Sequence, residues 1–229
     1  VRTIGLIGGM SWESSAHYYR ILNERVRARL GGTHSARCLM LSVDFAEVEA
    51  AQHRGDWPAL AEMMAEAARG LERGGADFVV LCTNTMHRVA DAIEAAVEIP
   101  LLHIADPTSA AVLAAGYKRV GLIGTAFTME QAFYRERLEA QGLAVLVPGA
   151  ADRAVVHDVI YRELVVGVVS DASRAAYRGV IARLVAEGAE AVVLGCTEIM
   201  LLVGAGDSAV PLFDTTELHA RAAVELALG

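Results

Sequence analysis

Three blocks of this chain occur twice, in the same order. TIGLIGGM near the start resembles RVGLIGTA, with Gly5 and Gly8 matching Gly121 and Gly124, 116 residues on. GGADFVVLCT resembles EGAEAVVLGCT, with Cys82 matching Cys196, 114 residues on. EIPLLHIADPTSAAVL resembles AVPLFDTTELHARAAVEL, with Pro100 matching Pro211, 111 residues on. A repeat of this length restricts the chain to two similar halves, and small drifts in spacing are the mark of loop insertions.

Each half alternates short β-rich apolar runs with longer helical patterns. Strands are expected over 3–8, 36–43, 77–82, 99–104, 119–124, 144–148, 191–196 and 210–214. Helices are expected over 14–29, 57–73, 87–96, 108–115, 129–141, 152–166, 173–186 and 217–227, where apolar residues recur near every 3.6 positions. Continuous apolar strands alternating with helices predict parallel sheets covered on both faces. The expected fold class is α/β: two Rossmann-like domains related by a pseudo-two-fold axis, with the active site in a cleft where equivalent strand ends meet. No flexible linker separates the halves. The 229 residues and 54% apolar content supply enough chain for such cores.

Charge and composition exclude several function classes. The net charge is −8, from 20 basic and 28 acidic side chains, with no Lys/Arg block, which argues against a nucleic-acid partner. No apolar run approaches the roughly 18 residues that span a bilayer, so no membrane partner is expected. VRTIGLIGG reads as a buried strand and not as a signal peptide. The cysteines are Cys38, Cys82 and Cys196, an odd number with no CxxC pair, which points to free thiols in a reducing, cytoplasmic setting. The histidines show no HExxH or Cys/His spacing, so no metal is expected. Lys118 is the only lysine. Pyridoxal phosphate enzymes need a lysine for the Schiff base. Lys118 precedes a strand, at the end opposite to where α/β sites form, so no pyridoxal mechanism is expected.

Glycines 5, 8 and 9 do not make GxGxxG, and neither does GLIGTA. A nucleotide cofactor is therefore not expected, and GLIGGM reads as a tight turn whose N–H groups face a cleft. A lone cysteine in an apolar strand is usually structural, which fits Cys38. Cys82 and Cys196 differ. Both end a predicted parallel strand, where open α/β sheets bind ligands, and both are followed by Thr and polar residues that could start a helix. Helix-start N–H groups lower a thiol pKa and bind carboxylates. Two opposed thiols suit inversion of a carbon centre, one acting as base and the other as acid. Thr83, Asn84, Thr85, Thr125 and Thr197 could hold a carboxylate, and Glu198 an ammonium. Helix capping by the same side chains is the plain structural alternative.

At IGLIGGMSWESSAHYYR, VLCTNTMH and GCTE the chain resembles the aspartate/glutamate racemase superfamily over essentially its whole length. The resemblance implies cofactor-independent racemisation with Cys82 and Cys196 as the catalytic pair, and a homodimer. It implies substrate contacts at Met10, Gln52, Thr83, Asn84, Thr85, Thr125, Thr197 and Glu198. It also implies a chain crossover that gives residues 1–99 with 210–229 as one domain and 100–209 as the other. The wording resembles the aspartate and broad-specificity amino-acid racemase branch. Strict aspartate racemases grip the side-chain carboxylate with an Arg and a Lys. Gln52 and Val165 stand at those positions here, with Arg54 and Arg162 as nearby substitutes. A buried carboxylate without a cation is costly, so broad specificity is expected. The alternatives are a strict aspartate or glutamate racemase, a hydantoin racemase, a maleate isomerase or other isomerase or lyase on this scaffold, and a non-catalytic amino-acid-binding protein.

Overall fold

The two repeats form two parallel sheets of the same strand order. The computed structural model describes residues 1–229. The first half runs β1 (Ile4–Gly8), α1 (Trp12–Leu30), β2 (Cys38–Ser42), α2 (Phe45–Arg54), α3 (Trp57–Arg73), β3 (Phe78–Leu81), a 3-10 turn Thr85–Val89, α4 (Ala90–Ala96), β4 (Leu101–Leu102) and α5 (Ala105–Ala114). The second runs β5 (Arg119–Gly124), α6 (Ala126–Glu130), α7 (Ala132–Ala140), β6 (Ala144–Leu146), α8 (Ala150–Arg162), α9 (Asp171–Ala186), β7 (Ala191–Gly195), α10 (Ile199–Leu202), β8 (Leu212–Asp214) and α11 (Thr215–Leu228). The sheets are ordered β2-β1-β3-β4 and β6-β5-β7-β8, parallel throughout. The repeat extends to single hydrogen bonds: Val79 N–H donates to Pro100 O at 2.8 Å, and Val192 N–H to Pro211 O at 2.9 Å.

Burial follows from that order. Every residue of the central strands β1, β3 and β7 is buried, as parallel sheets covered on both faces require. In the first half, Ile7, Val79 and Leu81 pack with α2 and α3. Ile4, Leu6, Phe78 and Val80 face α1 and α11. Helix α3 shows how local sequence builds a layer. Asp56 caps it by accepting from Ala59 N–H at 3.2 Å, and Leu60, Met64, Ala67, Ala68 and Leu71 form its buried stripe. Its observed span is the expected 57–73.

Other spans differ for local reasons. Helix α1 starts at Trp12 and not at 14, because Ser11 supplies the cap, accepting from Ser14 N–H. Helix α2, capped by Asp44 and closed by Gly55 in the left-handed region, lies where no helix is expected. The expected 129–141 helix is split at Gln131, whose backbone is extended. The expected 87–96 helix begins as a 3-10 turn.

The chain divides into two compact units, Val1–Ile104 with His219–Gly229, and Ala105–Leu218. These boundaries differ from the expected division at 99/100 and 209/210. Residues 101–102 form β4, which pairs with β3 through Val79↔Leu101 and Val80↔Leu102, and so stay in the first unit. Residues 212–214 form β8, which pairs with β7, and so stay in the second. The C-terminal segment joins the first unit only from His219, where Ala220, Ala223, Val224 and Ala227 of α11 pack with Ile4, Leu6 and Tyr18. No helix is long and apolar enough to cross a membrane.

Candidate active site

In an open parallel sheet the ligand crevice lies outside the carboxyl ends of the strands, where the strand order reverses. With orders 2-1-3-4 and 6-5-7-8, those points fall between β1 and β3 and between β5 and β7. Each point carries one cysteine; β1 ends in Gly8 at the first, and β5 and β7 end in Gly124 and Gly195 at the second.

In the first unit, β1 ends in Gly8 and Gly9. Gly9 has φ +96°, and a Cβ there would stand 2.2 Å from Val43 O, so only glycine fits. Its N–H donates to Ser15 Oγ at 2.8 Å. The expectation that this turn offers its N–H groups to a cleft is thus corrected at Gly9, since α1 takes that donor. Met10 follows, buried in the same cluster as Met86. Gln52, on α2, is buried and donates from Nε2 to Met86 Sδ at 3.2 Å. Met10, Gln52 and Met86 therefore make one apolar wall with a neutral amide in it.

Cys82 follows β3 and is fully buried, its backbone N–H donating to Ile7 O at 2.9 Å. Its thiol faces Val80 O at 3.8 Å. Thr83, Asn84 and Thr85 follow, all buried. Three histidines brace this segment, a feature not singled out in the sequence. Ile104 N–H donates to His87 Nε2 at 3.2 Å, so the proton sits on Nδ1, which donates to Thr83 O at 2.7 Å. His103 meets His87 edge-on, with ring centroids 4.3 Å apart and planes at 61°. His219 Nε2 donates to Leu102 O at 2.8 Å, and Tyr18 O–H donates to His219 Nδ1 at 2.9 Å. The isolated histidines of CTNTMH, PLLHI and TTELH were the available signal, but no spacing rule links them.

In the second unit, Thr125 caps α6, its Oγ1 accepting from Thr128 N–H at 3.3 Å. Cys196 follows β7 and is 7% exposed. Its thiol donates to Glu198 Oε2 at 3.1 Å, and Thr197 Oγ1 donates to the same oxygen at 2.8 Å. Glu198 is 2% exposed. Capping accounts for Thr125 but not for Asn84 or Glu198, neither of which makes a side-chain cap bond.

The halves differ at one residue. GGADFVVLCT has Cys82 directly after Leu81, whereas Gly195 stands between Leu194 and Cys196. Side chains alternate between sheet faces along a strand. Cys82 therefore joins the α1 and α11 face with Phe78 and Val80, while Cys196 joins the α8 and α9 face with Val192 and Leu194.

The expectation of thiols activated by helix starts is corrected. A 3-10 turn follows Cys82, and α10, with four residues, follows Cys196, so neither offers a long helix dipole. Burial pushes the Cys82 thiol well above its ordinary value of 9.0. Burial first, and the Glu198 charge second, push Cys196 well above it too. Both shifts favour the protonated thiol. No group of three His, Cys, Asp or Glu side chains could hold a metal.

A family model for Asp/Glu/hydantoin racemases matches residues 7–223. The chain belongs to the Asp/Glu/hydantoin racemase family. Membership makes it an isomerase of the racemase kind. It is 24% identical over 162 residues to the broad specificity amino-acid racemase RacX of Bacillus subtilis strain 168, covering 69% of this chain and 68% of that one. Among solved structures it is similar to an aspartate racemase homologue from Pyrococcus horikoshii OT3, with TM-score 0.86, 33% identity and full coverage of both chains. It is also similar to a Yersinia pestis protein whose Asp/Glu racemase assignment is provisional, with TM-score 0.93, 52% identity and full coverage of both. A glutamate racemase from Francisella tularensis shares the fold at TM-score 0.71 and 16% identity, covering 99% of this chain and 81% of that one.

Proposed function

We propose that this protein is a pyridoxal-independent amino-acid racemase of broad specificity, with Cys82 and Cys196 as the two acid/base groups. The observation that carries this reading is that each sheet ends, at its own switch point, in a buried Cys-Thr pair. One thiol removes the Cα proton and the other returns a proton to the opposite face. The reaction inverts the centre without any further reagent. Thr83, Asn84, Thr85, Thr125 and Thr197 supply donors for the substrate carboxylate. Glu198 is the one anionic side chain of the set, and Met10 and Gln52 line the side-chain end.

Broad specificity rests on what surrounds Gln52. It is a neutral amide, and its Nε2 donates to the thioether of Met86 at 3.2 Å. Arg54 is exposed, two residues further round α2 and so on another face. Arg162 is exposed over 78% of its side chain, beside Asp158 at 3.7 Å. Val165 packs against the second unit's core. A side-chain carboxylate would find no buried cation among these residues, which favours neutral and polar side chains over strict aspartate or glutamate.

A homodimer in a reducing cytoplasm is the proposed setting. All three cysteines are free. Helix α1 exposes Trp12 and Tyr19, seven residues apart and hence on one face. Light scattering that returns a monomer mass would sink the dimer.

The deciding experiment incubates single enantiomers of many amino acids, and of hydantoins and maleate, in deuterated solvent without added cofactor. Cα deuteration with loss of optical rotation is expected for several neutral or polar amino acids. Cys82→Ala and Cys196→Ala should each abolish it, while Cys38→Ala leaves it within about twofold, an interval set by ordinary surface effects. Racemisation that survives in Cys82→Ala refutes the two-thiol scheme.

A further inference from the structure

The two thiols are not equivalent. Cys82 has a backbone carbonyl, Val80 O, at 3.8 Å, and the residue after its Cys-Thr pair is Asn84, whose amide cannot take up a proton. Cys196 has a carboxylate. Glu198 Oε2 receives the thiol at 3.1 Å and the Thr197 hydroxyl at 2.8 Å. A carboxylate oxygen has the lone pairs to accept from both donors at once. A thiol buried away from water has nowhere to release its proton unless an acceptor stands within hydrogen-bond reach.

We propose that Glu198 is the proton acceptor that makes Cys196 the base. The assignment rests on the two-thiol racemase reading and goes beyond it. The Cys196 S–H bond breaks as an O–H bond forms on Glu198 Oε2. The thiolate lone pair then takes the Cα proton, re-forming S–H and leaving the C–H electron pair on Cα. Cys82 gives its proton to the opposite face of Cα and becomes the thiolate. The number of protons is unchanged: Glu198 ends protonated and Cys82 ionised. Reverse turnover restores the start, as does exchange with solvent once product has left. Thr197 holds Oε2 against Sγ. Glu198 acts through Cys196, so it is a positioning residue in this step.

The test reads Cys196 in the resting protein, without substrate. Alkylation by iodoacetamide is followed by peptide mass spectrometry from pH 6 to 9, with half-buried Cys38 as the internal reference. A thiol and carboxylate that share one proton form the thiolate tautomer to the same extent across that range. The native rate at Cys196 should therefore be flat. In Glu198→Gln it should climb about tenfold per pH unit, as for an isolated thiol, and be at least about tenfold slower at pH 7. Glu198→Asp should keep a flat profile at a lower rate. If Glu198 only repels the thiolate, Glu198→Gln speeds alkylation, because the negative charge is gone; that result overturns the proposal. So does an unchanged rate, as expected if Glu198 only holds the substrate ammonium. A native profile that climbs tenfold per unit, or a Cys196 that never reacts, overturns it with no variant needed. Racemisation measured in parallel separates the two readings. A flat native profile without racemisation of any substrate removes the racemase reading alone. Racemisation by Glu198→Gln with the native pH profile removes the Glu198 assignment alone.

Discussion

Burial holds the Cys82 proton more tightly in the folded protein than in the unfolded chain, because its thiol is pushed well above 9.0. The folded state then binds more protons than the unfolded state above that pH. The Cys82 contribution is whole below about pH 9 and is lost as pH rises through the folded value. Urea unfolding should show stability falling from pH 9 to pH 11, with part of that slope absent in Cys82→Ala. An equal slope in both proteins would contradict the burial argument. Lys118 gives the residue-scale test of cofactor independence. Its backbone N–H donates to Glu190 Oε2 at 2.8 Å, and arginine keeps that bond. Lys118→Arg should racemise at the native rate, within about twofold. Loss of activity there would reopen the Schiff-base chemistry that the lone lysine argues against.

Glycines carry the contact at the end of the second sheet. Gly124 and Gly195 are register partners in β5 and β7, and a Cβ on Gly124 would stand 2.5 Å from Gly195 O. Backbone cannot yield as a side chain does, so Gly124→Ala should cost about 2 kcal/mol or more. Gly204→Ala, with nothing within 4 Å, should cost less than about 1 kcal/mol. Denaturant midpoints check both. In the first unit, His87 ties the Cys82 segment to the chain after β4 through Thr83 O and Ile104 N–H. His87→Leu deletes both bonds in a buried site and should cost about 2 to 4 kcal/mol, with racemisation falling alongside. Most elements were legible because they are periodic: β1, β3, β5 and β7 as apolar runs, and α3 to its last residue. Helix α2 was not, since ten residues with three buried positions make a weak stripe. The His87, His103 and His219 arrangement was not either, because β4 and α11 bring it together across 117 residues, the Leu102 to His219 separation.

At the scale of the molecule, the repeat predicts two sheets but not which helix serves which. The last helix is the case in point: α11 follows β8 of the second unit, yet its buried alanines and Val224 complete the core of the first. A chain ending at residue 218 therefore loses one of the two helices, α1 and α11, that cover this face of the first sheet. It should lose the cooperative thermal unfolding of that unit while the second, Ala105–Leu218, keeps all its residues. Hydrogen exchange that left β1 and β3 protected would refute this. Sequence by itself determined the repeat, the parallel α/β class and the two Cys-Thr pairs, because apolar periodicity and strand-end motifs are local properties. Tertiary structure decided the rest. It placed β4 and β8 by sheet pairing and raised both thiols by burial. It set a carboxylate against only one of the two thiols. Each of these depends on which atoms meet after the chain has closed on itself, and spacing along a sequence does not carry that information.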